Sequence, residues 1–338
     1  MQDTPAFDPG DPAWLAHRYD RNSDRFTYRY VPREMHGAGP FLTDELIGNR
    51  PQALIGRDDA LSIARDIAGP VHFLFHSAFC GSTLLTRALD VPGRAMGLSE
   101  PVLLNDVTGI RRRGEMQRAE LARLLDDCLR LLARRWGDEE TVVIKPSNIL
   151  SGLMAPMMAL RPEARALILF APLRDFLTSV ARKGLWCRLW VRELLEGLIR
   201  EGVDLGLAST DYFRMSDLQV AAVGWIVQHQ RFASLASQYP DRVWTIGSDR
   251  LMRSPEAVLA ALEHRSMIGG TPNGPHPGIV AFSRHSKSGA RFSPEERAKE
   301  YSAAWAAHGD EIDKVHEWGL VVAKQAGISL TLPLPLIA

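Results

Sequence analysis

The residues best suited to chemistry in this chain fall at a few places. His76-Ser77-Ala78-Phe79-Cys80-Gly81-Ser82-Thr83 is a run of mostly small, often polar residues between the apolar Phe73-Leu74-Phe75 and a helix-like pattern at Leu84, Leu85, Ala88 and Leu89. A strand, a tight loop and a helix in that order put backbone N–H groups at a helix N-terminus, where they can hold an anion. A loop of this kind built for magnesium nucleotides reads GxxxxGK[ST], with the lysine on the β- and γ-phosphates and the hydroxyl on the metal. Here Gly81 and Thr83 keep their places, but His76 replaces the first glycine and Ser82 the lysine, which would cripple a nucleoside triphosphatase. Glu100, in Gly97-Leu98-Ser99-Glu100-Pro101, follows a strand and can take a proton from a hydroxyl. Lys145 closes the apolar Val142-Val143-Ile144, where burying its charge calls for an anion or a carboxylate such as Glu100. Plainer uses stay open: a helix-capping turn for the loop, a cap for Ser99-Glu100-Pro101, and a lysine whose stem lies along the strand while its head reaches water.

The elements that must position these residues can be read from periodicity. Short apolar strands are expected at 71–75, 141–146, 165–171 and 242–247, with helical patterns at 115–136, 173–202, 215–238 and 254–265. Strands alternating with helices imply a three-layer α/β/α fold around a parallel sheet covered on both faces. Ser254-Pro255-Glu256 has the form of a helix start, and the Gly/Pro/Asn-rich segment 266–280 that of a loop. Residues 1–60 read as an accessory segment, with a short helical start followed by a half-buried strand at Phe26, Tyr28 and Tyr30, and residues 61–338 as one domain.

Composition narrows the classes. The 338 residues are 46% hydrophobic, enough for a sizeable core. The 40 basic and 40 acidic residues cancel, and the longest basic run is Arg111-Arg112-Arg113, which argues against nucleic acid or an anionic membrane as the main partner. Lysine occurs only at positions 145, 183, 287, 299, 314 and 324, so each one invites a reason. Cys80, Cys128 and Cys187 are odd in number and widely spaced, which fits a reducing compartment and implies neither a disulfide framework nor a zinc site. No apolar run approaches the ~20 residues of a membrane span and the N-terminus lacks a signal-like pattern, so a cytoplasmic location is expected.

Cys80-Gly81-Ser82-Thr83-Leu84-Leu85 resembles the phosphosulfate loop of the sulfotransferase family, and its bacterial members in particular, where a basic residue precedes Ser-Gly-(Thr/Ser)-Thr and a hydrophobic residue opens a helix. The segment 97–106 is similar to the Leu-x-Glu-Pro element of bacterial sulfotransferases. The resemblance implies a P-loop nucleotide-binding fold and transfer of a sulfuryl group from 3′-phosphoadenosine 5′-phosphosulfate to a hydroxyl or amine, without a metal. It implies that Phe79, Cys80, Gly81, Ser82 and Thr83 cradle the phosphosulfate, that Glu100 is the base, and that Lys145 stabilises charge. In 161–184 the family has an arginine and, eight positions later, a serine that bind the 3′-phosphate. Ser179 matches, but Ala171 stands at the arginine position and Arg174 is its nearest replacement. The basic segment 282–293, with Arg284 and Lys287, resembles in role the C-terminal loop that closes over that phosphate. Phe79 departs from the pattern, because the family has lysine or arginine there to stabilise the oxygen that the sulfuryl group leaves. His76, Lys145 and Arg87 are the candidates to supply that charge.

Other readings on the same fold are a nucleotide kinase or phosphotransferase, which predicts magnesium-dependent ATP binding, and a non-catalytic nucleotide-binding protein, which predicts binding without turnover. The acceptor, whether small molecule, glycan or peptide, is not legible, and a homodimer stays open. Trp186 and Trp190, with Leu185 and Leu189, are expected to bury one face of a helix or line an acceptor pocket. Met154, Met157 and Met158 suit a core or pocket wall, His229 has no nameable partner, and the apolar C-terminus is expected to dock on the domain or on another subunit.

Overall fold

Val71–His76 is buried along its whole length, as a strand covered on both faces must be. In the computed structural model, which describes residues 5–37, 39–64, 68–203, 206–269, 274–283 and 294–337, this strand is β4. Its predecessors β1 (Trp14–Asp20), β2 (Arg25–Tyr30) and β3 (Gln52–Gly56) form a separate three-stranded antiparallel sheet. β5 (Ala95–Ser99), β6 (Thr141–Lys145), β7 (Ala166–Phe170) and β8 (Val243–Gly247) join β4 in a parallel sheet of order β5-β6-β4-β7-β8. Helices cover both faces of this central sheet, so the fold is three-layer α/β/α.

The chain divides into two compact units. The first is drawn from residues 1–75, 82–166 and 255–289 and the second from 76–81, 167–254 and 290–338. The first unit therefore holds the N-terminal sheet together with β5, β6 and the helices Ser82–Leu89, Leu103–Arg113, Arg118–Leu132 and Pro255–His264. Arginines fasten that sheet. Arg18 Nε and Nη2 donate to the Asp106 carboxylate at 2.8–3.1 Å, Arg57 reaches Asp127 at 2.5 Å, and Arg33 reaches Glu140 at 2.7 Å and Asp90 at 3.1 Å. Residues 14–20, expected to start a helix, are a strand instead. Pairing with the alternating Phe26-Thr27-Tyr28 strand satisfies their backbone and buries Trp14 and Leu15, which outweighs local helix propensity. Gly97 has no side chain where the helix Ser82–Leu89 crosses β5, since a Cβ there would stand 2.8 Å from Thr86 O.

In the second unit, the expected single helix over 173–202 is two, Leu173–Arg182 and Gly184–Arg200. Gly184 adopts φ +67°, a left-handed C-terminal conformation that ends the first helix while the apolar periodicity runs on. Asp217–Gln238 begins at a capping box, with Ser216 Oγ accepting from Gln219 N and Gln219 Oε1 accepting from Ser216 N. Pro294–Gln325 is a helix whose mixed composition gave no clear stripe, and Gly319 lets it approach Leu173 Cδ2 to 3.1 Å from a would-be Cβ. The apolar C-terminus docks on β8: Thr245 N donates to Leu334 O and Leu336 N to Thr245 O. His229 helps hold it, donating from Nε2 to Leu330 O while its ring stacks on Trp225. Among the described residues no helix is long and apolar enough to cross a membrane.

His36, His72 and His229 are buried, and burial pushes each imidazole down to about 4. The folded-state values lie below that of an unfolded histidine, so their neutral forms stabilise the fold fully above pH 6.5, and this contribution is lost as pH falls towards 4. Urea unfolding at pH 7.5 and pH 4.5 is expected to show a loss in acid of roughly 2 kcal/mol per histidine, and His72→Gln should flatten part of that dependence.

Candidate functional site

In the first unit, parallel pairing of β5 and β6 sets Ser99 opposite Lys145. The register continues one residue further, with Glu100 N donating to Lys145 O at 2.7 Å. Glu100 then turns out of the strand at φ +51°, a left-handed conformation that is costly for a residue with a Cβ. Its carboxylate meets the Lys145 ammonium at 2.5 Å. Lys145 has no exposed side-chain surface, while Glu100 keeps 17%. The pair thus presents a carboxylate edge to the outside with its cation behind it. Phe41 lies over the ammonium, 5.0 Å from Nζ to ring centroid. The segment carrying it is bound to the same strand end, through Ser99 Oγ to Pro40 O and Leu42 N to Ser99 O. Nothing in the sequence of residues 1–60 suggested such a neighbour.

Ser82 and Thr83 open the helix Ser82–Leu89, and both are buried. On the same helix, Arg87 donates to Gly39 O at 3.2 Å, and its Nε is buried with no hydrogen-bond partner among the described residues. Desolvation lowers the pKa of its guanidinium.

In the second unit, the loop 76–81 is pinned to the end of β7. Ser77 N donates to Leu169 O, and Ser77 Oγ accepts from Ala171 N at 2.9 Å. Ser77 O receives both the His76 Nδ1 proton at 2.8 Å and the Cys80 thiol at 2.9 Å. His76 is buried and turned to its own loop backbone. Beyond Ser77 the chain passes through Phe79 at φ +61° and Gly81 at φ +89°. Successive N–H groups in a turn that enters the left-handed region can face one side and favour an anion there. Gly81 is required by its dihedral angle rather than by space, since the nearest atom to a Cβ would be Leu251 Cδ2 at 3.8 Å.

The Phe79 ring is held against Phe176 and Trp190, each at 5.8 Å between centroids, and Lys183 Nζ stands 5.5 Å from its centroid. A cation over a ring at an exposed site is worth about 0.5–1 kcal/mol, so this lysine is lightly held. Residue spacing marks neither Phe41 nor Lys183 for these contacts, although Lys183 is one of only six lysines.

Arg174 sits in the first turn of Leu173–Arg182, pairs with Asp313 at 2.5 Å, and lies 4.3 Å from the Trp305 ring centroid. About half of each partner's side chain is exposed, so the ion pair contributes little to stability. Ser179, five residues on, is buried, and at about 100° per residue the two lie some 140° apart around the helix. Arg284 and Lys287 lie outside the described residues. No group of three or more His, Cys, Asp or Glu side chains suited to a metal ion occurs among the described residues.

No protein-family model and no curated protein matches this chain. Solved structures do. The sulfotransferase domain from the curacin biosynthetic pathway is 15% identical, with 78% of this chain and 100% of that one covered, at a TM-score of 0.41. The sulfotransferase domain of the Synechococcus PCC 7002 olefin synthase is 13% identical, with 78% and 97% covered, at 0.41. A sulfotransferase from Alicyclobacillus acidocaldarius is 16% identical, with 78% and 98% covered, at 0.37.

Two substitutions test the geometry. Glu100→Ala removes the carboxylate that pairs with the buried Lys145 ammonium and should cost about 3–5 kcal/mol in urea unfolding, whereas the double variant Glu100→Leu/Lys145→Met recovers most of it. Ser77→Ala strands the buried Ala171 N–H and should cost about 1–3 kcal/mol. A hydrogen-exchange comparison should show the Ala171 amide losing protection.

Proposed function

We propose that this protein is a sulfotransferase that moves the sulfuryl group of 3′-phosphoadenosine 5′-phosphosulfate to a hydroxyl or amine acceptor. The observation that carries the reading is the Glu100–Lys145 pair, a carboxylate backed by a buried cation at the carboxyl ends of adjacent parallel strands. In parallel α/β sheets, ligands bind outside those strand ends. The loop 79–83 supports it independently, since left-handed turns at Phe79 and Gly81 favour an anion and Ser82 stands where a magnesium-nucleotide loop has its lysine.

In this reading the acceptor oxygen or nitrogen attacks sulfur, and the bond from sulfur to the bridging oxygen breaks. The electron pair stays on the departing 5′-phosphate. Glu100 takes the acceptor proton, and Lys145 orients the carboxylate that does so. Residues 79–83 hold the phosphosulfate, while Arg174, Ser179, Arg284 and Lys287 are assigned to the 3′-phosphate. The nucleotide and an acceptor of small-molecule, glycan or peptide class are the partners, and three widely spaced cysteines suit a cytoplasmic setting.

Thermal unfolding with adenosine 3′,5′-bisphosphate, against ATP with and without magnesium, tests the reading. At a hundred times its dissociation constant the bisphosphate adds ~2.7 kcal/mol and raises the melting temperature. Glu100→Gln should keep that shift and lose turnover. A shift with magnesium-ATP alone would replace sulfuryl by phosphoryl transfer, and no shift with either would make the loop a scaffold.

A further inference from the structure

The loop that would hold the sulfuryl donor contains no lysine or arginine between His76 and Gly81, yet charge must develop on the oxygen from which the sulfuryl group departs. The histidine in the loop is buried and engaged with Ser77 O. Among the described residues, a cation that the fold brings to the loop is Lys183, whose ammonium stands 5.5 Å from the centroid of the Phe79 ring.

We infer that Lys183 is the cation of the 5′-phosphosulfate site, delivered to the loop from the junction of two helices. This rests on the sulfotransferase reading. Lys183 caps Leu173–Arg182, with its N–H directed to Ser179 O, and Gly184 at φ +67° turns the chain directly after it. Its backbone is therefore fixed while its side chain is exposed. Among the described residues no carboxylate pairs with it, whereas Lys145 and Lys314 are engaged by Glu100 and Asp310.

The Phe79 ring, fixed by Phe176 and Trp190, serves as a rest that keeps the ammonium beside the loop without neutralising it. An anion in the loop outcompetes the ring face, because a charged hydrogen bond is stronger than an exposed cation–π contact. During transfer the Lys183 N–H donates to the leaving phosphate as the bridging oxygen takes the electron pair. Lys183 itself neither gains nor loses a covalent bond.

Isothermal titration of the full chain with adenosine 3′,5′-bisphosphate and with adenosine 3′-monophosphate, which lacks the 5′ anion, separates this role from a structural one. Lys183→Ala should weaken the bisphosphate by at least about 10-fold and leave the monophosphate within about twofold, and Lys183→Arg should regain most of the affinity. Phe79→Lys in the Lys183→Ala background should recover bisphosphate binding from the other side of the contact. Unchanged bisphosphate affinity in Lys183→Ala overturns the inference while leaving the sulfotransferase reading intact. Equal losses for both ligands assign Lys183 to the helix junction and also overturn it. Wild-type protein that binds neither nucleotide overturns the reading on which it rests.

Discussion

An ammonium group with no exposed surface must be neutralised where it lies, and Lys145 sets that demand at the end of β6. The demand explains features that otherwise look unrelated. Glu100 leaves its strand through a left-handed conformation that brings its carboxylate to the lysine, and the Lys145 carbonyl accepts the Glu100 N–H. Phe41 covers the ammonium, and Ser99 and Leu42 tie the segment that carries it to the same strand end. Apolar residues in place of the pair would solve the burial problem more cheaply, so stability alone does not call for a charge here.

The loop 76–81 solves a different problem, that of holding a strained turn open. Phe79 with φ > 0 carries a steric cost that glycine would avoid. Two aromatic neighbours hold its ring, and Ser77 anchors the preceding residues through its backbone N–H, carbonyl and hydroxyl. Strain of this kind persists where surrounding contacts over-determine it, and it gathers at sites that bind or react.

Arginine does the fastening in the first unit. Arg18, Arg33 and Arg57 each reach carboxylates far away in sequence, and the planar guanidinium of Arg18 engages Asp106 through two nitrogens. The N-terminal strands fall in the same compact unit as the residues these arginines reach.

Much of the architecture was legible because its causes are local. Continuous apolar runs at 71–75, 141–146, 165–171 and 242–247 lie within one residue of the ends of β4, β6, β7 and β8, since a strand buried on both faces needs no alternation. The loop after β4, Glu100 and Lys145 were legible for a similar reason: hydroxyls, a glycine and isolated charges stand out against apolar strands. What escaped depends on partners distant in the chain. Residues 14–20 became a strand because β2 was there to pair with them, and Gly184 split a helix whose periodicity continued across it. Residue order can name Glu100 and Lys145 as charges that need partners. Only the parallel register of β5 on β6, and the fold that carries Lys183 to Phe79, decide which charge meets which, because such contacts are fixed by packing between elements and leave no spacing in the sequence.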